Sequence, residues 1–487
     1  MPIMVERNKW ILYKHTCNYE MIKAVALDVK NSCKTDLSDI ERHRMQERLA
    51  ALDLYRTRNP KDNPLDSINH RINTLEYWMF GYEVKVDGNK RFIFSPLGNL
   101  FLKHIEDESK LRKIFITMMI AMQFQHPGSR TNKEFQLYPF RLLLKLLCDE
   151  RLGGKLYNNE VEYLIVFVKQ MNETKYEELI TSILEIRELS IKEMAHRFKS
   201  DEHTYVNSVY EWEYYAQALL EQVGIINRYT GEFICKLYHP TKTNSKSKPT
   251  SRNATRGYIT LKEGFIPFVK DLLSVYSCFA APIKLDDSER MTIDCIKEIY
   301  NFYPQLLLKE IGESDELSTL LELPKLIEEY ANNPDNDTAY LFEDVLTEGF
   351  NMFHNVEAIK RGGAAHTDIE CLYITKCKKF AVESKSTANK LLGINAGRLR
   401  EHREEIGGAY TIVVTPRYVP ATKRDIIETP IVIVLASTFA EYLYNHIFHD
   451  VRNIDFADYD NIIVDNLGTD ISKLLSNMTL EKFAANS

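Results

Sequence analysis

The chain has 487 residues, 44% of them hydrophobic and 27% charged, a globular balance with room for about three domains. Its net charge of -7 argues against a protein that coats DNA indiscriminately, because such affinity comes from neutralised phosphates, but it leaves a sequence-specific binder open. The start MPIMVERNKW has no apolar signal core and no apolar run of roughly 18 residues follows, which predicts a cytoplasmic protein with no membrane segment. The eight cysteines form no C-x-x-C pair and read as reduced thiols, not a zinc site. Walker-type G-x-x-x-x-G-K-[ST], G-x-G-x-x-G and H-E-x-x-H patterns are all missing, which disfavours an ATP-driven translocase, a dinucleotide enzyme and a zinc protease.

Taken in chain order, Asp66 to Phe80 has helical spacing, and Tyr82 to Val86 and Arg91 to Phe94 read as a hairpin about Asp87-Gly88-Asn89. Ser95-Pro-Leu-Gly98 then leads into Asn99 to His104. A helix followed by a hairpin is winged-helix grammar, so Asn69, His70, Arg71 and Asn73 become base or phosphate contacts, with Lys90 and Arg91 on the wing. Glu108 to Gln125, Glu134 to Leu152, Glu160 to Met171 and Tyr176 to Leu189 are amphipathic or buried helices whose apolar stripes serve as core. A second helix-plus-wing unit follows. Ser208 to Val223 is an aromatic-rich helix, Ile225 to Tyr229 and Phe233 to Tyr238 flank a Thr-Gly turn, and Gly257 to Gly264 returns the chain. From Phe233 to Lys262 there is no Asp or Glu, and the Ser/Thr/Asn/Lys-rich piece Thr241 to Thr255 predicts an unstructured basic loop. Within it Lys242, Lys246, Lys248 and Arg252, with the adjoining Arg256, are the phosphate-contacting candidates. Gly312 to Asp337 is acid-rich, contains Pro324 and Asn333-Pro334, and marks a boundary.

Beyond that boundary, Ala339 to Val356 carries a helical stripe of Phe342, Val345, Leu346, Gly349, Phe350 and Phe353, together with Glu343 and Glu348. Asp368-Ile-Glu-Cys-Leu-Tyr and Lys379-Phe-Ala-Val-Glu383-Ser-Lys385 read as two strands about a basic turn. Strand alternation puts Glu383 and Lys385 on one face of their strand, and likewise gives Asp368 and Glu370 a common face of theirs. Paired as a hairpin, they bring three carboxylates and an ammonium to one spot. Hard carboxylate oxygens suit a magnesium-like ion, and a lysine beside them suits phosphodiester hydrolysis. Thr387 to Ile406 reads as a helix with Arg398, Arg400, His402 and Arg403 near its end. Ala409 to Thr415 and Ile431 to Ala436 are apolar enough for central strands, and Ser437 to Phe448 is helical.

The segments Phe342-Glu343, His366-Thr-Asp368, Val382-Glu383-Ser-Lys385, Gly397-Arg398-Leu-Arg400-Glu-His402-Arg403 and Val414-Thr415-Pro416 resemble the PD-(D/E)xK nuclease core. The whole chain resembles the AlwI-type family of type IIS restriction and nicking endonucleases. That resemblance implies a catalytic set of Asp368, Glu383 and Lys385, with Mg2+ held by Asp368, Glu383 and a glutamate of the preceding helix, Glu343 ahead of Glu348. Thr367 stands where the motif's proline would be.

The resulting expectation is a multidomain α+β protein. A mainly helical N-terminal region with winged-helix-like units over 1–170 and 171–285 is followed by a helical linker over 286–337 and an α/β PD-(D/E)xK domain over 338–487. It is expected to be a prokaryotic, cytoplasmic enzyme that binds a short asymmetric site on double-stranded DNA and hydrolyses a phosphodiester bond at a displaced position. One catalytic set per chain calls for a homodimer through the catalytic domain, a small second subunit, or single-strand nicking. Two further readings stay open: a non-catalytic winged-helix regulator in which Glu383 and Lys385 are surface charges, and a structure-selective repair nuclease.

Overall fold

A computed structural model describes residues 7–10, 18–52, 64–86, 89–128, 133–244, 247–286, 292–313, 315–335, 337–361, 363, 366–449 and 454–484. The chain is a mixed helix-and-sheet protein of two units. Residues 1–285 with 299–311 form the first unit, and 286–298 with 312–487 form the second. Among the described residues no helix is long and apolar enough to cross a membrane.

In the first unit the helix Pro64–Tyr77 leads into an antiparallel hairpin of β1 (Gly81–Val86) and β2 (Asn89–Phe94), in register from Gly81↔Phe94 to Val86↔Asn89. The expected first hairpin is present, with Asp87 and Gly88 outside the described residues. Helices Pro96–Lys103, Glu108–Ala121 and Pro139–Cys148 build the core behind it, where Phe80 packs on Phe101 (ring centroids 4.8 Å) and Trp78 on Phe115 (5.0 Å). The predicted helix over Glu160 to Met171 is broken into Asn158–Tyr163 and a short 3-10 turn, Ile165–Phe167.

The second predicted wing is rearranged. β3 (Lys155–Tyr157), β4 (Ile226–Tyr229), β5 (Phe233–Thr243), β6 (Pro249–Thr255) and β7 (Tyr258–Leu261) form two separate sheets, ordered β3-β7-β4 and β5-β6. The expected pairing of β4 with β5 does not form. β4 pairs with β7 (Ile226↔Leu261), while β5 turns back on β6. The swap is permitted at Gly231, where a Cβ would lie 2.1 Å from the Arg256 backbone, so two chain segments cross at a point that only glycine fits. The "unstructured loop" is therefore mostly a β-ribbon. Its threonines, Thr241, Thr243, Thr250 and Thr255, carry strand propensity that its polar composition hides.

Glu162 in this unit is fully buried, and neither of its carboxylate oxygens makes a hydrogen bond. Burial, reinforced by the charge of Glu213, holds its pKa well above the usual carboxylate range. The native state therefore keeps a proton that the unfolded chain releases above its ordinary carboxylate pKa, so stability falls as pH rises through that window. Glu162→Gln should then raise the melting temperature at pH 8 and leave it nearly unchanged at pH 4. A gain on the order of 1–3 kcal/mol is expected, and an equal effect at both pH values would refute the assignment.

The second unit is a five-stranded mixed sheet ordered β12-β11-β10-β9-β8, with β8 (Val356–Lys360), β9 (Ile369–Tyr373), β10 (Lys378–Ser384), β11 (Thr411–Thr415) and β12 (Ile431–Leu435). β8, β9 and β10 pair antiparallel, and β10, β11 and β12 parallel. Every residue of β11 and β12 is buried, as strands covered on both faces require. The outer edge of β12 is closed by 468–472: Gly468 N donates to Ile431 O, and Ile471 N to Ile433 O. The helix Ala339–Asn351 buries Phe342, Val345, Leu346, Gly349 and Phe350. It ends sooner than its spacing predicts, and β8, which begins at the last residue of the expected helix and was not expected from the sequence, follows. Phe350 stacks on Phe439 of the helix Ala436–Phe448 at 4.7 Å. The helix expected from Thr387 starts only at Ala396, capped by Asn395, and ends at Glu405.

Candidate active site

β10 is the middle strand, and its apolar run Phe380-Ala-Val382 is wholly buried before the chain reaches Glu383, which is 2% exposed. Lys385 N continues the ladder by donating to Val414 O at 2.8 Å. Because β9 runs antiparallel (Ile369↔Val382), Asp368, just ahead of it, arrives at the same end of the sheet. Asp368 Oδ2 accepts from both the backbone N (2.7 Å) and the Oγ (2.8 Å) of Ser384. Lys385 Nζ donates to Glu383 Oε1 at 2.7 Å, as two residues on one strand face can.

Glu343 comes from the helix Ala339–Asn351. Burial, and then the nearby charge of Asp368, raise its pKa. Its Oε2 lies 3.3 Å from Lys360 Nζ on β8 without hydrogen-bond geometry. Lys360 also donates to Asp344 Oδ1 at 2.7 Å. Glu348 is exposed on the same helix. The structure thus brings Asp368, Glu383, Lys385 and Glu343 to one end of the sheet. Glu370 does not join them: Arg361 Nε (2.8 Å) and Lys379 Nζ (2.6 Å) hold it, and although burial would raise its pKa, these two cations bring it below the usual range. The expected three-carboxylate face is corrected to two strand carboxylates and one from a helix.

Three contributors had no role assigned from sequence: Ser384, Lys360 and His402. His402 is 5% exposed and its Nδ1 lies 3.8 Å from Glu383 Oε2. Arg398, one helical turn earlier, donates to His402 Nε2 at 3.4 Å, so the ring proton belongs on Nδ1 and faces the carboxylate. At 3.8 Å this is not a hydrogen bond, and both facing atoms are buried without one. The i, i+4 spacing of Arg398 and His402 was the available signal. Among the described residues no three His, Cys, Asp or Glu side chains already close a metal shell.

The DNA-contact candidates are scattered in their engagement. Asn69 accepts from Arg42, Lys90 Nζ pairs with Glu83 at 2.8 Å, and Arg256 donates to Leu189 O. Arg71 and Arg91 are half-buried, and Lys242 and Lys248 are exposed on the β5–β6 ribbon. Arg252 lies over the Tyr210 ring at 4.0 Å. Lys246 lies outside the described residues.

Residues 5–276 match the family described as type II restriction endonuclease HgaI, N-terminal domain. Over 476 residues the chain is 48% identical to the type II restriction enzyme HgaI of Avibacterium volantium, covering 97% of each. The chain belongs to the HgaI family of type II restriction endonucleases. The expected AlwI-type family is met at the level of the type II restriction class; the family that matches is HgaI. Among solved structures, the HgaI-family chain is similar to the BpuJ1 endonuclease binding domain in complex with modified DNA, at 14% identity and a TM-score of 0.38, over 61% of this chain and 97% of that one. It is also similar to restriction endonuclease FokI, at 10% identity and a TM-score of 0.26, over 96% of this chain and 100% of that one. TM-scores this low assign no fold.

Proposed function

We propose that this HgaI-family chain is a type IIS restriction endonuclease. Its first unit, through winged-helix-like elements, binds a short asymmetric site on duplex DNA. Its second unit, of PD-(D/E)xK type, hydrolyses a phosphodiester bond at a displaced position. The observation that carries the reading is the Asp368–Ser384 and Glu383–Lys385 arrangement at the end of the central strand. Glu383 Oε2 and Glu343 Oε2, buried without hydrogen bonds and close to a third carboxylate, suit a hard divalent cation. Mg2+ takes only one or two protein carboxylates beside substrate phosphate and water, so no closed protein shell is needed. Asp368, Glu383 and Glu343 would hold it, and when bound it supplies a water of lowered pKa and offsets phosphoryl charge.

The remaining chemistry belongs to the chain's own groups. Lys385, about one-third exposed and tied to Glu383 by one N–H, keeps further donors for the attacking water or a phosphoryl oxygen. Ser384 fixes the orientation of Asp368, and His402 limits how Glu383 can turn. His402→Ala should therefore lower cleavage by roughly 10–100-fold, as loss of a group that orients a ligand does, while duplex binding stays intact. Unchanged Mg2+ dependence and rate would remove His402 from the site.

The test is supercoiled plasmid with Mg2+, wild type beside Glu383→Gln, with ends mapped by sequencing. Discrete ends at a constant distance from one short sequence, from wild type only, support the reading. Plasmid that stops at open circle identifies nicking by a single chain, and progress to linear identifies pairing of two chains or sequential cuts. Intact plasmid with retained duplex binding would leave the regulator reading.

A further inference from the structure

A cleft of about 970 Å³ lies in the first unit, between one helix face and the β5–β6 ribbon. That volume is in the range of clefts that hold small ligands. The helix side presents Tyr210, Tyr214 and Ala218 at intervals of four, so the small Ala218 leaves space beyond the two rings. The ribbon side presents Lys236, Arg252 and Asn253.

Several observations point to a ligand of particular chemistry. Tyr214 is 56% exposed although it stacks on Tyr210 (5.2 Å, 19°), which leaves aromatic surface open to another flat group. Arg252, laid over Tyr210, has a buried Nε with no hydrogen-bond partner. A buried donor left unfilled is unfavourable, and an acceptor arriving from outside would satisfy it. Arg228, Lys236 and Arg252 outnumber the one carboxylate, Glu213, which is occupied by Asn158 Nδ2 at 2.9 Å and faces Arg228 at 3.8 Å. The wall itself is unusual: Glu211–Gln217 is wound as a π-helix, a form rare in proteins and frequent at functional sites.

We propose that this cleft is a nucleotide slot, taking one unstacked nucleotide with its base on Tyr214 and its phosphate against Arg252 and Lys236. A duplex interior presents no free base face, so the occupant is a nucleotide drawn out of a strand or a free mononucleotide; both have the same flat ring and anionic phosphate. The proposal rests on the DNA-binding part of the reading above and not on its catalytic part.

The test uses the full chain in EDTA, with a fluorescein-labelled single-stranded 12-mer followed by anisotropy and dAMP as competitor. Tyr214→Ala should weaken strand binding by roughly 5–100-fold, the range for loss of one base–aromatic stack, and Tyr214→Phe should restore it. Arg252→Gln should weaken it as well. Displacement by dAMP identifies a slot that accepts free mononucleotides, and its failure with Tyr214 dependence intact identifies one that takes only a strand. Wild-type affinity in Tyr214→Ala overturns the slot, even if Arg252→Gln is impaired, because plain phosphate attraction would then suffice. Should Arg252→Gln fail to fold by circular dichroism, the Tyr214 pair decides alone. A chain that binds through Tyr214 yet never cuts plasmid overturns the catalytic reading and leaves the slot standing. A chain that cuts but ignores Tyr214 does the reverse.

Discussion

Glu383→Gln leaves supercoiled plasmid essentially uncut: the expected loss in rate is on the order of 10²–10³-fold or more. The substitution keeps the side chain's shape but removes the charge that holds Lys385 at 2.7 Å and that would complete a cation site with Asp368. Lys385 is one-third exposed and can hydrate when its partner goes, so folding should survive. Gel shift on duplex DNA should be unchanged, since the substitution lies in the second unit and the proposed recognition elements in the first. Cleavage within a few-fold of wild type would end the catalytic assignment.

The second large effect is on stability. Phe380 is fully buried on β10, stacked on Phe456 (5.0 Å, 5°) and Tyr410 (5.3 Å) and edge-on to Phe350. Phe380→Ala empties the centre of this aromatic cluster, and a cost of about 3–5 kcal/mol is expected from lost transfer energy and the residual cavity. Phe380→Leu, which refills most of the volume, should cost less than half as much. Urea denaturation compares the two, and similar midpoints for Ala and Leu would show that the cluster relaxes around the gap. Because Glu383 follows three residues later on the same strand, Phe380→Ala should also lower cleavage well below the unfolding midpoint.

These effects attach to features with different legibility in sequence. The β9–β10 hairpin could be read directly because an apolar run stops abruptly at Glu383, and alternation alone places Glu383 and Lys385 together. The parallel strands were equally plain, since TIVVT and IVIVL tolerate only full burial. Harder to read was β8. Its alternating burial, with Glu357 and Ile359 exposed, follows a phenylalanine-rich helix whose periodicity continues to Phe353, so the boundary dissolves. Lys360 was lost with it. The capture of Glu370 depends on Arg361 from the neighbouring strand's end, a tertiary fact that no local pattern carries.

The first unit failed differently. The strands expected in the second wing lie close to where their composition suggested, but the partners are wrong: β4 meets β7 across 28 intervening residues, 230–257, and the ribbon is extruded between them. A local turn signal at Thr230-Gly231 points toward a tight hairpin, whereas the glycine serves a close crossing against Arg256. Glycine's two uses, turning and admitting another backbone, look alike in one dimension.

The interleaved border between the units has a consequence for recombination. Ile299–Ile311 belongs to the first unit although Asp286–Glu298, before it, belongs to the second. Within that returning segment Tyr300 is buried, its hydroxyl donating to Glu76 O at 2.7 Å and its ring against Tyr82, with Leu307 and Leu308 buried further along. A chimera joined by a single crossover after residue 285 would strip the first unit of these groups and leave an unfilled hollow beside its first hairpin. Exchange of second units within this family therefore requires three junctions, after residues 285, 298 and 311, because a single one beyond 311 would strip the second unit of Asp286–Glu298, whose Lys297 donates to Glu441 Oε2 at 3.1 Å.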